Sequence, residues 1–449
     1  MVTMKYTEIL RKNALTVPEI LLPADKSDLS RWAVIACDQY TQDRSYWTRV
    51  AERAGTAPST LKIILPEVYL EDSGRAERLT SIRKTMDAYL GAKDAHGVFA
   101  EPVKGFVYIE RKTAYGRTRK GLVAAIDLDA YEWKPDSKAL IRATEATIVE
   151  RIPPRMEIRR GAPLESPHIM LLVNDPGKSL VEGTGARVRP SKALYETRLE
   201  PDAGSIAGWE VSAPEDLEYV ARAVSDLEAA NTAPDGSSFL FAVGDGNHSL
   251  ATAKAVWDEF REAHAADAKA GKIDLENHPA RFALVEIVNL YDDGLTFEPI
   301  HRVLFGTTAK AVSDFLAARL GGTVSACASQ TTLERAVGEK NETRFGFVGQ
   351  GSLSLLDTPN PALAVSRLQP ALDEFLARNP GVKIDYIHGA EEVWRLGKEP
   401  GAVAILLPPV EKDSFFGTIA SGGPLPRKSF SMGEASEKRF YLECRKLFA

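Results

Sequence analysis

Phe239-Leu-Phe-Ala-Val-Gly-Asp-Gly-Asn-His-Ser-Leu-Ala-Thr-Ala-Lys-Ala-Val-Trp257 decides the fold class, because it passes from a strand pattern to a helix pattern through a single turn. Residues 239–243 form a continuous apolar run, the signature of a buried strand, and Leu250, Ala253, Trp257 and Phe260 then recur on one helix face. Gly244 and Gly246 permit backbone angles closed to other residues, while Asp245 and Asn247 are natural turn and N-cap residues. Amide groups at such a turn point outward, and a helix start of this kind attracts anions, phosphate above all. His248 and Ser249 stand at its rim as donors, and Asp245 offers a carboxylate to a metal or a proton. The same residues also suit a turn that only reverses the chain.

Outward from this turn, helix and strand patterns alternate, which implies a mixed α/β (α+β) architecture. Towards the N-terminus, strands are expected at 32–36, 61–65, 105–109, 121–128 and 168–173, with helices at 45–54, 77–90 and 214–230. Towards the C-terminus, a strand at 281–290 should turn at Tyr291-Asp-Asp-Gly294 into a hairpin partner at 295–305. Helices follow at 310–320 and 364–378, short strands at 344–348 and 403–407, and a closing helix at 434–447. Three regions are expected: an N-terminal α/β region 1–136, a region 137–305 with the turn, and a C-terminal α/β region 306–449.

Other constellations add charge. Arg142-Ala-Thr-Glu145 precedes Pro153-Pro154-Arg155 in a stretch whose periodicity suggests a helix from about 138, halted by the double proline. The arginine forks suit phosphate, and Glu145 beside them suits a general base; a solvated salt-bridged face is the alternative. His301 and Arg302 end the expected hairpin, and adjacent residues of a strand point to opposite faces. Lys428, Ser429 and Ser431 sit on a Gly/Pro-shaped loop that either clamps a phosphate or enters a helix, with Ser431 as N-cap and Glu434 closing a capping box. Asp385 and His388 are expected to be structural, and Cys37 reads as a small buried residue, since no nearby histidine activates it.

Composition narrows the function. With 44% apolar and 26% charged residues the chain has the balance of a globular protein. A net charge of −6 provides no basic face for a nucleic-acid backbone, so nucleic-acid partners are disfavoured. Three widely spaced cysteines fit a reducing cytoplasm better than a disulfide framework, and no apolar run is long enough to span a membrane. The oligomeric state is not legible.

Several blocks together resemble the family catalogued as domain of unknown function 1015 (DUF1015): Trp32-Ala-Val-Ile-Ala-Cys-Asp-Gln-Tyr40, Leu65-Pro-Glu-Val-Tyr69, Arg142-Ala-Thr-Glu145 with Arg151-Ile-Pro-Pro-Arg155, Gly244-Asp-Gly-Asn-His248, His301-Arg302 and Arg427-Lys-Ser-Phe-Ser-Met-Gly-Glu434. That family commonly has Asp-Gly-His-His-Arg at the turn, where this chain has Asp245, Gly246, Asn247, His248 and Ser249, so a neighbouring cation would have to replace the arginine. The box is also similar to one in the ParB/sulfiredoxin superfamily, which implies a ParB/sulfiredoxin-like core for 137–305 and nucleotide binding.

The expectation is a Mg²⁺-dependent phosphotransferase that uses ATP or ADP on a small hydroxylated metabolite, free serine first. Asp245, Glu145 and His248 would be catalytic, with Asp245 also the metal ligand. Gly244, Gly246, Asn247, Ser249, Arg142, Arg155, His301, Arg302 and Lys428 would bind the nucleotide. A nucleotide-binding regulator without chemistry and a phosphate-ester hydrolase are the alternatives.

Overall fold

The computed structural model describes residues 5–91, 97–147, 152–199, 201–339, 342–359 and 363–448. Ile148, Glu150 and Arg151 lie outside them. The fold is mixed α/β, built on two large sheets.

The first sheet has ten strands: β1 (Leu15–Thr16), β2 (Phe106–Lys112), β3 (Thr118–Asp127), β4 (Tyr131–Glu132), β5 (Ile141–Ala143), β6 (Met170–Val173), β7 (Tyr195–Leu199), β8 (Gly204–Val211), β9 (Phe241–Asp245) and β10 (Phe282–Asn289). Their order is β7-β8-β2-β3-β10-β6-β9-β5-β4, with β1 on β3. Strands from 1–136 and 137–305 therefore share one sheet: β3 pairs antiparallel with β10. The sequence-based division at residue 136 does not follow a gap in the fold.

The second sheet comprises β11 (His301–Phe305), β12 (Thr323–Ala326), β13 (Arg344–Gly349), β14 (Ser352–Asp357), β15 (Lys383–Ile387) and β16 (Ala402–Leu406), in the order β12-β14-β13-β16-β11-β15. Two apolar layers cover it, one around Leu368, Leu372 and Phe375 and another around Val337, Val393 and Trp394. Phe415, Phe416 and Phe430 pack under Leu172 and Ala242 of the first sheet and join the two units.

The elements that place the site form for local reasons. The residues around Arg142 are strand, not helix: β5 is fully buried and pairs parallel with β9, so tertiary pairing overrides the helical period. Helix α1 (Ile152–Arg159) then begins at the double proline expected to stop one. Proline has no N–H to lose in a first turn, where none is bonded within the helix, and its fixed φ suits the start. Helix α1 packs on α2 (Asn247–Ala263), which follows β9 through Gly246.

Three further expectations are corrected. Residues 61–65 do not form a strand; a 3-10 turn spans Thr60–Ile63, opened by the Ser59 side chain. Residues 281–305 do not form a hairpin, because Phe297–Pro299 pairs with Phe430–Met432 and β11 joins the second sheet. The closing helix is absent; the chain runs as a largely extended strap whose Phe440–Tyr441 pairs with Val34–Ile35 and whose Arg445–Lys446 pairs with Leu164–Glu165. The capping box joins Glu434 to Glu437, and Ser431 lies in the Phe430–Met432 strand. Charge fixes the strap: Arg439 donates to Glu286 at 2.6 Å and to Glu443 at 2.8 Å, and Arg119 reaches Glu286 at 3.1 Å, all nearly solvent-free.

Candidate functional site

A cleft of about 1590 Å³ opens between the two units, bounded below by the strap. Its floor is the edge of the first sheet where β5 and β9 end. Because those strands are parallel and in register at Ala143 and Val243, Glu145, just past β5, and Asp245, the last residue of β9, come to the same end of the sheet. The antiparallel β6 begins at the same edge, with Met170 opposite Asp245, and His168, two residues before it, also lines the cleft. Loops at the carboxyl ends of parallel strands are where open α/β sheets gather ligands.

The turn is built as its residues require. A bulge between β6 and β9 sets Gly244 against the Phe430–Met432 strand; a Cβ there would stand 2.8 Å from the Met432 sulfur and 2.9 Å from Leu172. Gly246 takes φ +79°, the left-handed region, and the first intrahelical bond of α2 runs from Leu250 N–H to its carbonyl at 2.9 Å. The amides of residues 247–249 precede that bond, so the positive end of a 17-residue helix meets the cleft. Asn247 binds backwards: its side-chain oxygen accepts from Thr144 N–H at 3.2 Å, and its amide reaches Val243 O at 3.3 Å. It locks the exit of β5 to the exit of β9, fixing Glu145 relative to Asp245.

Glu145 is gripped from the opposite side by the Lys428 loop. Leu425 N–H donates to Thr144 O at 2.7 Å, Ala146 N–H to Leu425 O at 3.3 Å, and Ser429 N–H to a Glu145 carboxylate oxygen at 3.4 Å. Burial raises the Glu145 pKa above the usual carboxylate range, and Asp245 raises it further; the Ser429 amide and the Lys428 and Lys438 charges pull it back. Asp245 accepts from Gly246 N–H at 3.0 Å and lies 3.5 Å from the Lys438 ammonium. Lys428 lines the cleft at φ +59°.

The other expected residues divide. His248, Ser249 and Arg155 line the cleft, with Arg155 paired to Glu67. Arg142 does not: it lies over the Phe239 ring at 4.6 Å and donates to Ala139 O at 2.8 Å. His301 and Arg302 are also not among the lining residues. The His301 Nδ1 accepts from Leu407 N–H at 3.1 Å, and burial drops its pKa to about 4, which makes it a neutral structural histidine. His388, expected to be structural, lines the cleft. Burial pushes the Cys37 thiol well up, so it supplies no thiolate at neutral pH.

Sequence reasoning missed Asp38, His168, Lys438 and Tyr441. The Tyr441 hydroxyl meets His168 Nδ1 at 2.8 Å, and His168 Nε2 stands 3.7 Å from Asp38. Lys438 and Tyr441 were hidden by the helix expected there; His168 had no neighbour in sequence to mark it. Among the described residues, no group of three or more His, Cys, Asp or Glu side chains is arranged to hold a metal, and no helix is long and apolar enough to cross a membrane.

The model of the family described as "Protein of unknown function (DUF1015)" matches residues 20–375, and the chain belongs to that family. No curated protein matches the sequence. Among solved structures, a conserved hypothetical protein from Pyrococcus furiosus is 13% identical, with 72% of this chain and 94% of that one covered and a TM-score of 0.35. A free serine kinase in complex with AMP is 13% identical, with 72% and 92% covered and a TM-score of 0.35. SbnI with a C-terminal truncation, from Staphylococcus aureus, is 7% identical, with 73% and 87% covered and a TM-score of 0.38.

Proposed function

We propose that this member of the family transfers a phosphoryl group from ATP or ADP to the hydroxyl of a small metabolite in the cleft. The observation that supports the reading is the convergence of Glu145, Asp245 and the start of α2 on one sheet edge. Anionic phosphates lie against the amides of residues 247–249, with His248 and Ser249 as further donors. Lys428 and Lys438 take the place of the arginine the box lacks and neutralise charge on the transferring group. Glu145, a carboxylate of raised pKa, accepts the proton of the acceptor hydroxyl as its oxygen bonds to the terminal phosphorus; the bond from phosphorus to the bridging oxygen breaks, and the shortened nucleotide leaves.

One carboxylate is enough for Mg²⁺ on the protein side when phosphates and waters complete its shell. Asp245 would hold the ion, which would offset charge on the phosphates, and Glu145 would stay free to take the proton.

The reading is tested by incubating the protein with Mg²⁺, ATP or ADP and candidate hydroxylated metabolites, free serine first, and following ³¹P spectra for a new phosphate ester. Glu145→Gln should lower turnover at least about 100-fold, the usual contribution of a general base, with nucleotide affinity little changed. Nucleotide binding without any product would leave a regulator; release of inorganic phosphate from a phosphorylated metabolite without nucleotide would make it a hydrolase.

A further inference from the structure

The second unit supplies a wall of the cleft that phosphate transfer leaves unused. Tyr386 on β15 and Arg302 on β11 are register partners, and the guanidinium lies over the tyrosine ring, 4.8 Å from its centroid. Arg302 is fully buried; its Nε donates to Gln369 at 3.0 Å, and it also bonds the Ile300 carbonyl. Gln369, on helix α3 (Ala364–Arg378), donates to Asp373 one turn later at 2.8 Å and to the Tyr386 hydroxyl at 3.3 Å. Gln369, Asp373 and Tyr386 all face the cleft.

These groups hold one another still. Since β15 is the edge strand, Arg302 backs the ring from the inner side and, among the described residues, no strand pairs beyond it. Gln369 spends its amide within the wall, whereas Asp373 is exposed and has an oxygen to spare. A rigid, cation-backed ring bordered by a carboxylate acceptor suits a flat heteroaromatic carrying an exocyclic amine; an aliphatic metabolite gains nothing from it. The wall adjoins the phosphate cradle: Lys428 acts electrostatically on His388, two residues beyond Tyr386, and Glu145 acts on Arg302.

We propose that Tyr386, Gln369 and Asp373 form a nucleobase subsite for an amino-bearing base such as adenine, stacked on Tyr386 with its amine donated to Asp373. This rests on the nucleotide reading above. Titration calorimetry of the full chain with Mg²⁺ and ADP, IDP or inorganic tripolyphosphate tests it. IDP presents a carbonyl where ADP presents the amine, and tripolyphosphate reports on the cradle alone. ADP should bind about tenfold or more tighter than IDP. Tyr386→Ala should weaken ADP about tenfold or more, the worth of base stacking, without changing tripolyphosphate, while Tyr386→Phe retains ADP affinity. Asp373→Asn should bring ADP and IDP together. Equal binding of ADP and IDP with no effect of Tyr386→Ala overturns the subsite and leaves the phosphate cradle standing. Absence of binding by all three overturns the nucleotide reading and the subsite with it.

Discussion

Glu145 is a carboxylate whose charge is opposed by burial and by Asp245 and supported by Lys428, Lys438 and one amide. Removing a supporting cation must raise its pKa further. Lys428→Met should therefore shift the acidic limb of the kcat profile to higher pH, because more of the base is protonated at a given pH. An unmoved limb would assign the base to another group. Asp292, away from the cleft, tests the same physics through stability. It is wholly buried, and desolvation raises its pKa from 3.8 to about 6. Between those values the folded chain keeps a proton that the unfolded chain has lost, so stability falls as pH rises through the window. Asp292→Asn should flatten that fall in urea unfolding followed from pH 4 to 7.

At the scale of the element, the turn was legible and its neighbours were not. Two glycines between a strand run and a helix face announced β9 and α2, and the helices at Arg44–Ala54, Pro214–Ala230 and Ala364–Arg378 follow from periodicity. The β5 segment was misread because Arg142 and Glu145 fall three apart, a helical spacing; pairing with β9 decides it, and no local signal carries that pairing. The strap was misread as a helix because its charged residues look solvated in sequence, whereas Arg439 and Glu443 are buried partners. The two glycines of the turn also differ in purpose. Gly246→Ala forces a left-handed residue against Ile169, 3.2 Å away, and should destabilise the protein by about 1–2 kcal/mol while disturbing the cradle. Gly244→Ala should act through the displaced Met432, loosening the pairing of Phe430–Met432 with Phe297–Pro299 and leaving the left-handed turn intact.

Across the whole molecule, the cleft depends on the last residues of the chain. The strap pairs with Val34–Ile35 and Leu164–Glu165 of the first unit, and Lys438, which faces Asp245, is held by its neighbour Arg439 between Glu286 and Glu443. Arg439→Met leaves the buried Glu443 without its cation and Glu286 with Arg119 alone, and should lower unfolding free energy by about 3–5 kcal/mol, measured with urea. Lys438→Met, at the cleft, should spare most of that stability and weaken nucleotide phosphate binding. The central claim is the phosphate cradle at the start of α2 with Glu145 at its side, and diffraction from crystals grown with Mg²⁺ and ADP tests it most directly. The account predicts the diphosphate against the amides of residues 247–249, with the Glu145 carboxylate open to the space beside the terminal phosphate. A nucleotide bound elsewhere, with the amides of residues 247–249 turned away from every phosphate oxygen, would contradict it.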